Sequence, residues 1–165
     1  MNIRLLQAED AASWKIFRLA SFEHFPLAFS SSWEEEEKVS DYQLQEWLKR
    51  NTIYGAFIDG QLIGSVGFFK QECLKESHRG LLFGMGVLPA YQRRGIGSEL
   101  MTILLRHAQN EVLQLTLSVE SNNEKALRLY QRYGFTIYGT EPRSLKMGDS
   151  FYDKYLMVLA FDAVP

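Results

Sequence analysis

The 165-residue chain has a single cysteine, Cys73, so it cannot form a disulfide within itself. A chain of this kind suits a reducing compartment, and we expect it to be cytoplasmic. Cys73 lies in an apparent strand, where we interpret it as a small strand residue, with a catalytic nucleophile as the alternative. The chain also lacks the layout of a secretory signal, because its first short apolar run meets charged residues almost at once.

Long apolar runs are missing as well, and none approaches the roughly 20 residues that a membrane-spanning helix needs. The net charge is low, at −2, which argues against a broad nucleic-acid-binding face. The three histidines, His24, His78 and His107, show no metal-ligand spacing. We therefore expect no membrane partner, no nucleic-acid partner and no bound metal.

What is present is an ordinary globular composition, with 46% hydrophobic, 23% charged and 13% aromatic residues. No internal repeat, linker or composition break divides the sequence, which predicts a single domain over residues 1–165. Asp59 and Gly60 separate two strand-like segments and predict a two-residue hairpin. Later strands alternate with helices, as crossover connections require. The pattern predicts a mixed α/β fold with the order β-α-α-β-β-β-α-β-α-β-β and helices on both faces of a mixed sheet.

Apolar spacing predicts two early helices. The first begins near Glu9. Its apolar positions are Ala12, Ile16, Leu19 and Ala20. The second opens at Ser40 and Gln43, which form a capping-box pattern, and continues through Leu48. Between them, the four consecutive carboxylates of residues 34–37 lie in a loop or a short helix, where they form a solvated face or attract a cationic ligand.

The stretch QRRGIGSEL, residues 92–100, sets Arg93 and Arg94 before Gly95 and Gly97 at the start of an amphipathic helix. The buried stripe predicted for this helix is Ile96, Leu100, Met101, Leu104, Leu105 and Ala108. A helix N-terminus offers unpaired N–H groups and a partial positive charge, and glycines let a bulky anion approach them. The stretch therefore indicates either a phosphate cradle or an ordinary turn into a helix. Neither a P-loop lysine nor the third glycine of a dinucleotide fingerprint follows.

The strand before this stretch, residues 79–88, contains Gly84 and Gly86 and ends ahead of Pro89. Both glycines would weaken a regular strand. They therefore indicate a bulge, or the close approach of another backbone or of a ligand.

A later helix lies in residues 120–134, ESNNEKALRLYQRYG. Ser121 and Glu124 match a capping box at its start, and Gly134 suits its C-terminal end. Tyr130 falls on an apolar stripe of this helix, so spacing alone identifies it as a core aromatic residue.

Two stretches together resemble the GNAT superfamily of acetyl-coenzyme A-dependent N-acetyltransferases. Residues 92–97, QRRGIG, fit its Q/R-x-x-G-x-G/A signature without a mismatch. Residues 123–135, NEKALRLYQRYGF, resemble its N-x-x-A-x-x-L-Y-x-x-x-G-F segment. The resemblance covers nearly the whole chain and implies a GNAT-like fold, whose mostly antiparallel sheet has about seven strands and a bulged fourth strand. It also implies acetyl-CoA as the cosubstrate, with no metal.

The resemblance assigns roles to individual residues. The backbone of residues 92–98 would hold the diphosphate of the coenzyme, and residues 85–87 would bind the pantetheine arm and the thioester carbonyl. Asn123 would hold the coenzyme, with a helix cap as an alternative or additional role. Tyr130 would be the general acid that protonates the coenzyme A thiolate. The implied cofactor-binding residues are Met85, Gly86, Val87, Gln92, Arg93, Arg94, Gly95, Ile96, Gly97, Ser98 and Asn123.

The base that would deprotonate the acceptor is less defined. Some relatives that acetylate protein N-termini carry a glutamate where this chain has Ser118, and a serine cannot act as that base. Glu120 lies nearby, either as a base or as a solvated charge at the strand end. Substrate selection in this fold involves the first two helices and the loop between the last strands, where Arg143, Lys146 and Asp153 lie.

We therefore predict an acyltransferase that moves an acetyl group from acetyl-CoA to a primary amine of a small molecule or a peptide. The acceptor would be cationic if residues 34–37 contact it. Two alternatives stay open at this point: a non-catalytic acyl-CoA-binding or regulatory module on the same fold, and a nucleotide-binding protein that uses the same glycines. The sequence also leaves the acyl-chain preference and the oligomeric state open, a homodimer included.

Overall fold

The structure, a computed structural model, describes residues 1–162; residues 163–165, the end of the predicted domain, lie outside the described residues. The strands are β1 (Asn2–Leu5), β2 (Thr52–Ile58), β3 (Gln61–Lys70), β4 (Arg79–Val87), β5 (Gln114–Glu120), β6 (Thr136–Met147) and β7 (Ser150–Ala160). The α-helices are α1 (Ala11–His24), α2 (Trp33–Glu37), α3 (Asp41–Arg50), α4 (Ile96–Ala108) and α5 (Glu124–Arg132). The chain divides into two compact units, the first made of residues 1–69 and 82–107 and the second of residues 70–81 and those from 108 onward.

The strands belong to one seven-stranded sheet in the order β1-β2-β3-β4-β5-β7-β6. Strands β4 and β5 pair in parallel through residues 79–81 and 114–116. The pairs β1–β2, β2–β3, β5–β7 and β6–β7 are antiparallel. The predicted mixed and mostly antiparallel sheet is therefore confirmed, and the short helix α2 occupies the segment for which a loop or a short helix was expected.

The hairpin between β2 and β3 turns at the predicted dipeptide. Asp59 and Gly60 have φ values of 50° and 80°, and a type I′ turn requires positive φ at both of these positions. Ile58 pairs with Gln61 across the turn. The local sequence of the turn therefore accounts for the position of the hairpin between β2 and β3.

In the first unit, α1 and α3 pack on one face of the sheet. Their shared core consists of Leu6, Ala11, Trp14, Phe17, Leu44, Leu48, Ile53 and Leu62. Helix α1 forms where it was predicted, but the expected apolar face was wrong, since Ala12 is exposed and Ile16 is 71% exposed. The buried face carries Trp14, Phe17 and Phe22 instead. Burying three large aromatic rings removes more apolar area from water than burying Ile16 would, and this decides the orientation.

Helix α3 opens at the predicted capping box. The Ser40 hydroxyl accepts the Gln43 N–H at 3.2 Å, and the Gln43 side chain accepts the Ser40 N–H at 2.9 Å. The helix runs to Arg50, two residues beyond the predicted limit.

Helix α4 packs on the opposite face of the same sheet. Five of the six predicted stripe positions are buried, Ile96, Leu100, Met101, Leu104 and Ala108, whereas Leu105 is only half-buried. The Tyr54 hydroxyl lies 2.9 Å from Nδ1 of His107 in this helix. Tyr54 follows Ile53, which belongs to the core of α1 and α3, and successive strand residues point to opposite faces. Helices therefore cover both faces of the sheet, as predicted.

In the second unit, α5 follows β5 and its start differs from the prediction. The unit's core includes Leu115, Leu117, Val119, Tyr130, Phe135 and Met157. The Asn123 side chain accepts the Ala126 N–H at 3.1 Å and caps the helix, so the predicted box of Ser121 and Glu124 was wrong. The Ser121 N–H donates to the Asp153 carbonyl at 2.9 Å. This bond keeps Ser121 beside β7 and delays the helix.

The segment between the last strands is ordered as a long hairpin rather than a loop. Strand β6 continues to Met147, and the turn to β7 includes Gly148, with φ 57°. The Arg143 N–H donates to the Asp153 carboxylate at 2.8 Å, and the Arg143 guanidinium lies 3.7 Å from the Phe151 ring centroid. The Nζ atom of Lys146 lies farther from the same ring, at 5.8 Å from its centroid.

Two predictions about single residues had opposite outcomes. Gly134 follows α5 with φ 90°, which confirms it as the C-terminal glycine of that helix. Cys73 was expected in a strand, but β3 ends at Lys70 and Cys73 is exposed. The chain has already turned there, because the Gln71 N–H donates to the Arg79 carbonyl at 2.9 Å.

Candidate active site

The connection between β4 and α4 combines a short 3-10 turn with two left-handed residues. Residues Pro89–Tyr91 form the 3-10 turn, and Arg93 and Gly95 have φ values of 63° and 80°. Left-handed residues in a turn direct successive N–H groups to one concave side. Helix α4 begins directly afterwards, at Ile96.

The first turn of α4 presents N–H groups that the helix does not use. The Glu99 N–H donates to the Gly95 carbonyl at 3.0 Å and starts the helical bonding pattern. The N–H groups of Ile96 and Gly97 precede it, so they have no acceptor within the helix and carry the positive end of its dipole. A Cβ added to Gly95 would meet no heavy atom within 4 Å, so the space above the turn is open. This arrangement suits an anion such as a phosphate group.

Gln92 was expected to bind the coenzyme, but its side-chain amide and its backbone N–H form hydrogen bonds within the turn. Its side-chain amide donates to the Val87 carbonyl at 2.9 Å, which ties the turn to the end of β4. Its backbone N–H donates to the Pro89 carbonyl at 3.3 Å. The row of N–H groups that faces open space therefore begins after Gln92.

Both arginines of the turn are exposed. Arg94 donates to the Ala90 carbonyl at 3.2 Å, and its guanidinium lies 5.4 Å from the Tyr91 ring centroid. Arg93 adds a second positive charge next to the N-terminus of α4. An anion there would gain both charges in addition to the helix dipole.

The end of β4 departs from regular strand geometry at Gly84. This residue has φ 63°, and a Cβ added to it would meet nothing within 4 Å. The Ser65 hydroxyl donates to its carbonyl at 3.2 Å. A left-handed glycine inside a strand is the usual mark of a bulge, as the sequence predicted. At Gly86 an added Cβ would lie 3.7 Å from the Phe17 ring and 3.9 Å from the Ser21 hydroxyl, so α1 covers that position.

The second unit holds Asn123 and Tyr130. Asn123 is the helix cap already described, which confirms the cap interpretation and leaves its coenzyme role as a prediction. Tyr130 is 7% exposed and packs edge-on against Phe135, with ring centroids 5.9 Å apart. Burial raises the pKa of the Tyr130 phenol well above its usual range, which already lies above neutral pH.

The end of β5 brings a carboxylate into the interior of this unit. Ser118 is exposed, whereas Glu120 is only 6% exposed. Glu120 stands directly opposite the buried Lys154 in the β5–β7 register, and its carboxylate accepts the Asn122 N–H at 3.1 Å. The solvated-charge interpretation of Glu120 was therefore wrong. Its cationic neighbour comes from a strand far along the chain, so local sequence could not reveal it.

One carboxylate of the acidic run is buried and paired, and the other three are exposed. Glu34, Glu35 and Glu37 are exposed, but Glu36 is only 4% exposed and forms a two-pronged ion pair with Arg18 of α1. The second contact, from Arg18 Nη2 to Glu36 Oε2, measures 2.9 Å. The three exposed carboxylates fit a solvated face and leave contact with a cationic ligand as a prediction, whereas Glu36 ties α2 to α1.

Within residues 1–162, no group of three or more His, Cys, Asp or Glu side chains is placed to hold a metal ion. In that same range, every helix is too short or too polar to cross a membrane.

Comparison with known proteins assigns this arrangement to a family. The profile described as "Acetyltransferase (GNAT) family" matches residues 18–135. The chain is 30% identical over 134 residues to the mycothiol acetyltransferase of Streptomyces coelicolor, which covers 81% of this chain and 41% of that protein. It is 31% identical over 104 residues to the L-amino acid N-acetyltransferase AaaT of Escherichia coli, covering 62% of this chain and 64% of that protein. The solved structure of yncA from Salmonella typhimurium, with its cofactor acetyl-CoA, superimposes with a TM-score of 0.84 at 20% identity, covering 100% and 97% of the two chains.

Proposed function

The chain belongs to the GNAT family of acetyltransferases, and we propose that it moves the acetyl group of acetyl-CoA to a primary amine of a small molecule or a peptide. The observation that carries the proposal is the open turn of N–H groups between β4 and α4. The family profile and the relatives support the same chemistry, although the chain spans only 41% of the mycothiol acetyltransferase. We also propose that residues 1–165 act as one domain, for which the single seven-stranded sheet is the support. A cytoplasmic location fits the single free cysteine.

The diphosphate of the coenzyme would bind at the start of α4. The N–H groups of residues 93–98 would donate to its oxygens, and Gly95 would let it approach because no side chain occupies the open space. Arg93 and Arg94 would balance the negative charge. Gln92 would contribute indirectly, by holding the turn against Val87.

The acetyl thioester would lie along residues 85–87 of β4. The left-handed Gly84 disturbs the strand there, which frees backbone groups from regular pairing. A backbone N–H that donates to the thioester oxygen would stabilise the negative charge that develops when the amine attacks. Phe17 and Ser21 of α1 lie beside Gly86, so α1 would form one wall of this part of the site.

The reaction moves one acetyl group and one proton. The neutral amine attacks the thioester carbonyl, the C–S bond breaks, and the thiolate of coenzyme A takes a proton. We assign that proton to the Tyr130 hydroxyl, since a phenol is protonated at neutral pH. The Tyr130 phenolate would then regain a proton from water. The acceptor's own proton would leave to water, since Ser118 offers no base at neutral pH.

Thermal unfolding with acetyl-CoA, coenzyme A, NAD and ATP in turn tests the coenzyme site. A ligand at 100 times its Kd adds about 2.7 kcal/mol to the free energy of unfolding. We expect acetyl-CoA and coenzyme A alone to raise the unfolding midpoint. A shift with NAD or ATP alone would identify a nucleotide-binding protein, and no shift with any ligand would contradict the proposed cradle.

An amine screen that measures release of the coenzyme A thiol tests catalysis separately. Coenzyme binding followed by thiol release with at least one amine is the expected result. Binding without release from any amine would instead support a non-catalytic acyl-CoA-binding module.

A further inference from the structure

Three aromatic side chains of the first unit meet at the surface, and we call Trp47, Phe69 and Phe83 the aromatic cluster. Trp47 of α3 lies 5.7 Å from Phe83 and 6.4 Å from Phe69, edge-on to both rings. Phe69 and Phe83 lie 5.9 Å apart. Trp47 remains 43% exposed and the two phenylalanines are half-buried. The aromatic cluster therefore presents an aromatic surface that a ligand can reach.

A glycine makes room for this surface. A Cβ added to Gly67 would lie 2.8 Å from the Phe83 ring and 2.9 Å from Ile53, closer than atoms can approach without displacement. Only glycine at this position leaves room for the Phe83 ring to pack this close to β3. A glycine inside a strand weakens it, so close packing of the ring is the physical gain that offsets this loss.

The aromatic cluster adjoins the segment proposed to hold the thioester. Phe83 directly precedes Gly84, the left-handed residue with open space where a side chain would stand. Phe83 packs against the core of α1 and α3, whereas α4 lies on the opposite face of the sheet. The diphosphate would therefore be held on one face, and the aromatic cluster would remain available to the acceptor on the other.

We propose that the aromatic cluster selects the acceptor and binds an apolar, preferably aromatic, group carried beside its primary amine. This inference rests on the proposed function, because it needs the thioester at residues 85–87. The three side chains carry no charge, so they gain most from burying apolar surface of the ligand. A polyamine would gain little there. Of the four carboxylates that were considered as a site for a cationic ligand, Glu36 is paired with Arg18, and the other three are exposed on α2, outside the aromatic cluster.

Four acceptors distinguish these chemistries: phenylalaninamide, leucinamide, glycinamide and spermidine. The three amides offer the same α-amino group and differ only in the side chain. We expect kcat/KM for phenylalaninamide to exceed that for glycinamide by about tenfold or more, since burying a phenyl ring is worth at least this factor. Leucinamide should fall between them, and spermidine should be a poor acceptor.

The variant Trp47→Ala tests whether the aromatic cluster causes the preference for phenylalaninamide, and Tyr42→Ala is its control. Tyr42 lies on the same helix and is 69% exposed, but it is outside the aromatic cluster. Trp47→Ala should lower kcat/KM for phenylalaninamide about tenfold more than for glycinamide, whereas Tyr42→Ala should leave the ratio unchanged. Trp47→Phe keeps an aromatic ring and should retain most of the preference.

Four results would overturn the proposal. The first is a preference for glycinamide or spermidine in the unmodified protein, and the second is an equal loss for both amides in Trp47→Ala. The third is acetylation of amines without any preference, which would refute the role of the aromatic cluster alone. The fourth is coenzyme binding without turnover of any amine, which would refute the proposed function together with this inference.

Discussion

Replacing Gly95 by alanine isolates the proposed diphosphate site. The structure offers a matched control at Gly60 in the β2–β3 hairpin. Both glycines have φ 80°, and at both an added Cβ would meet no heavy atom within 4 Å. The two substitutions therefore impose the same backbone strain and no steric clash in the free protein. They differ in position, because Gly95 directly precedes α4 and the proposed diphosphate site, whereas Gly60 lies in the hairpin between β2 and β3.

The free-energy cost of placing alanine in a left-handed conformation is the same for both variants. A left-handed conformation costs an L-residue about 1–2 kcal/mol. Alanine also makes the unfolded chain stiffer than glycine does, which offsets about 0.4–1 kcal/mol of this cost. The free energy of unfolding should therefore fall by about 1 kcal/mol. In a protein of this size, that loss lowers the unfolding midpoint by about 2–4 °C. Gly60→Ala and Gly95→Ala should show equal shifts without ligand.

The two variants should differ in their affinity for coenzyme A. A methyl group at position 95 would keep the diphosphate from at least one N–H, and a hydrogen bond to a charged group is worth about 1.5–3 kcal/mol. Gly95→Ala should therefore raise the Kd for coenzyme A about ten- to a hundredfold, measured by titration calorimetry, while Gly60→Ala leaves it unchanged. Equal affinities in the two variants would refute the reasoning and reduce residues 92–98 to an ordinary turn into a helix.

Three further predictions concern buried polar groups. Tyr130→Phe keeps the ring beside Phe135 but removes the proton donor, so turnover should fall severalfold or more with little change in coenzyme affinity; unchanged turnover would make Tyr130 a core residue only. Because burial raises the Tyr130 pKa, its contribution is complete below the unfolded pKa of about 10 and is lost at higher pH. The free energy of unfolding should fall less steeply above that pH in Tyr130→Phe, and equal slopes in chemical denaturation would contradict this. Glu36→Ala leaves Arg18 without its partner and should destabilise the protein by about 3–5 kcal/mol. Glu37→Ala, at an exposed position, should change stability by no more than about 0.5 kcal/mol, and similar losses in both variants would refute the assignment of the ion pair.

Several elements were readable from short stretches of sequence. The Asp59–Gly60 turn, the capping box of Ser40 and Gln43, and Gly134 at the end of α5 all formed where expected. Each depends on backbone conformation or hydrogen bonding over a few neighbouring residues, so distant parts of the chain do not affect it. The apolar stripe of α4 was also predicted from its helical repeat, apart from Leu105, which is only half-buried.

Other features required partners from distant parts of the chain. The face of α1 was misread, because Ile16 and Trp14 both fit a helical repeat and only the sheet beneath decides which is buried. The start of α5 was misread because the Asp153 carbonyl, supplied by β7, holds Ser121 outside the helix. In both cases, tertiary contacts overrode a plausible local pattern.

The sequence by itself determined the order of the strands and helices, the open turn before α4 and the family to which the chain belongs. The first two follow from φ preferences, capping and hydrophobic periodicity, which act over a few residues, whereas the family follows from the resemblance of residues 92–97 and 123–135 to its motifs. Only the tertiary structure decided which charges are buried and which aromatic rings meet. Glu36 finds Arg18, Glu120 faces Lys154, and Trp47 reaches Phe83 only when separate elements pack together. A charge or a ring is buried where a suitable partner packs against it, and in these cases the partner belongs to a separate element of the fold.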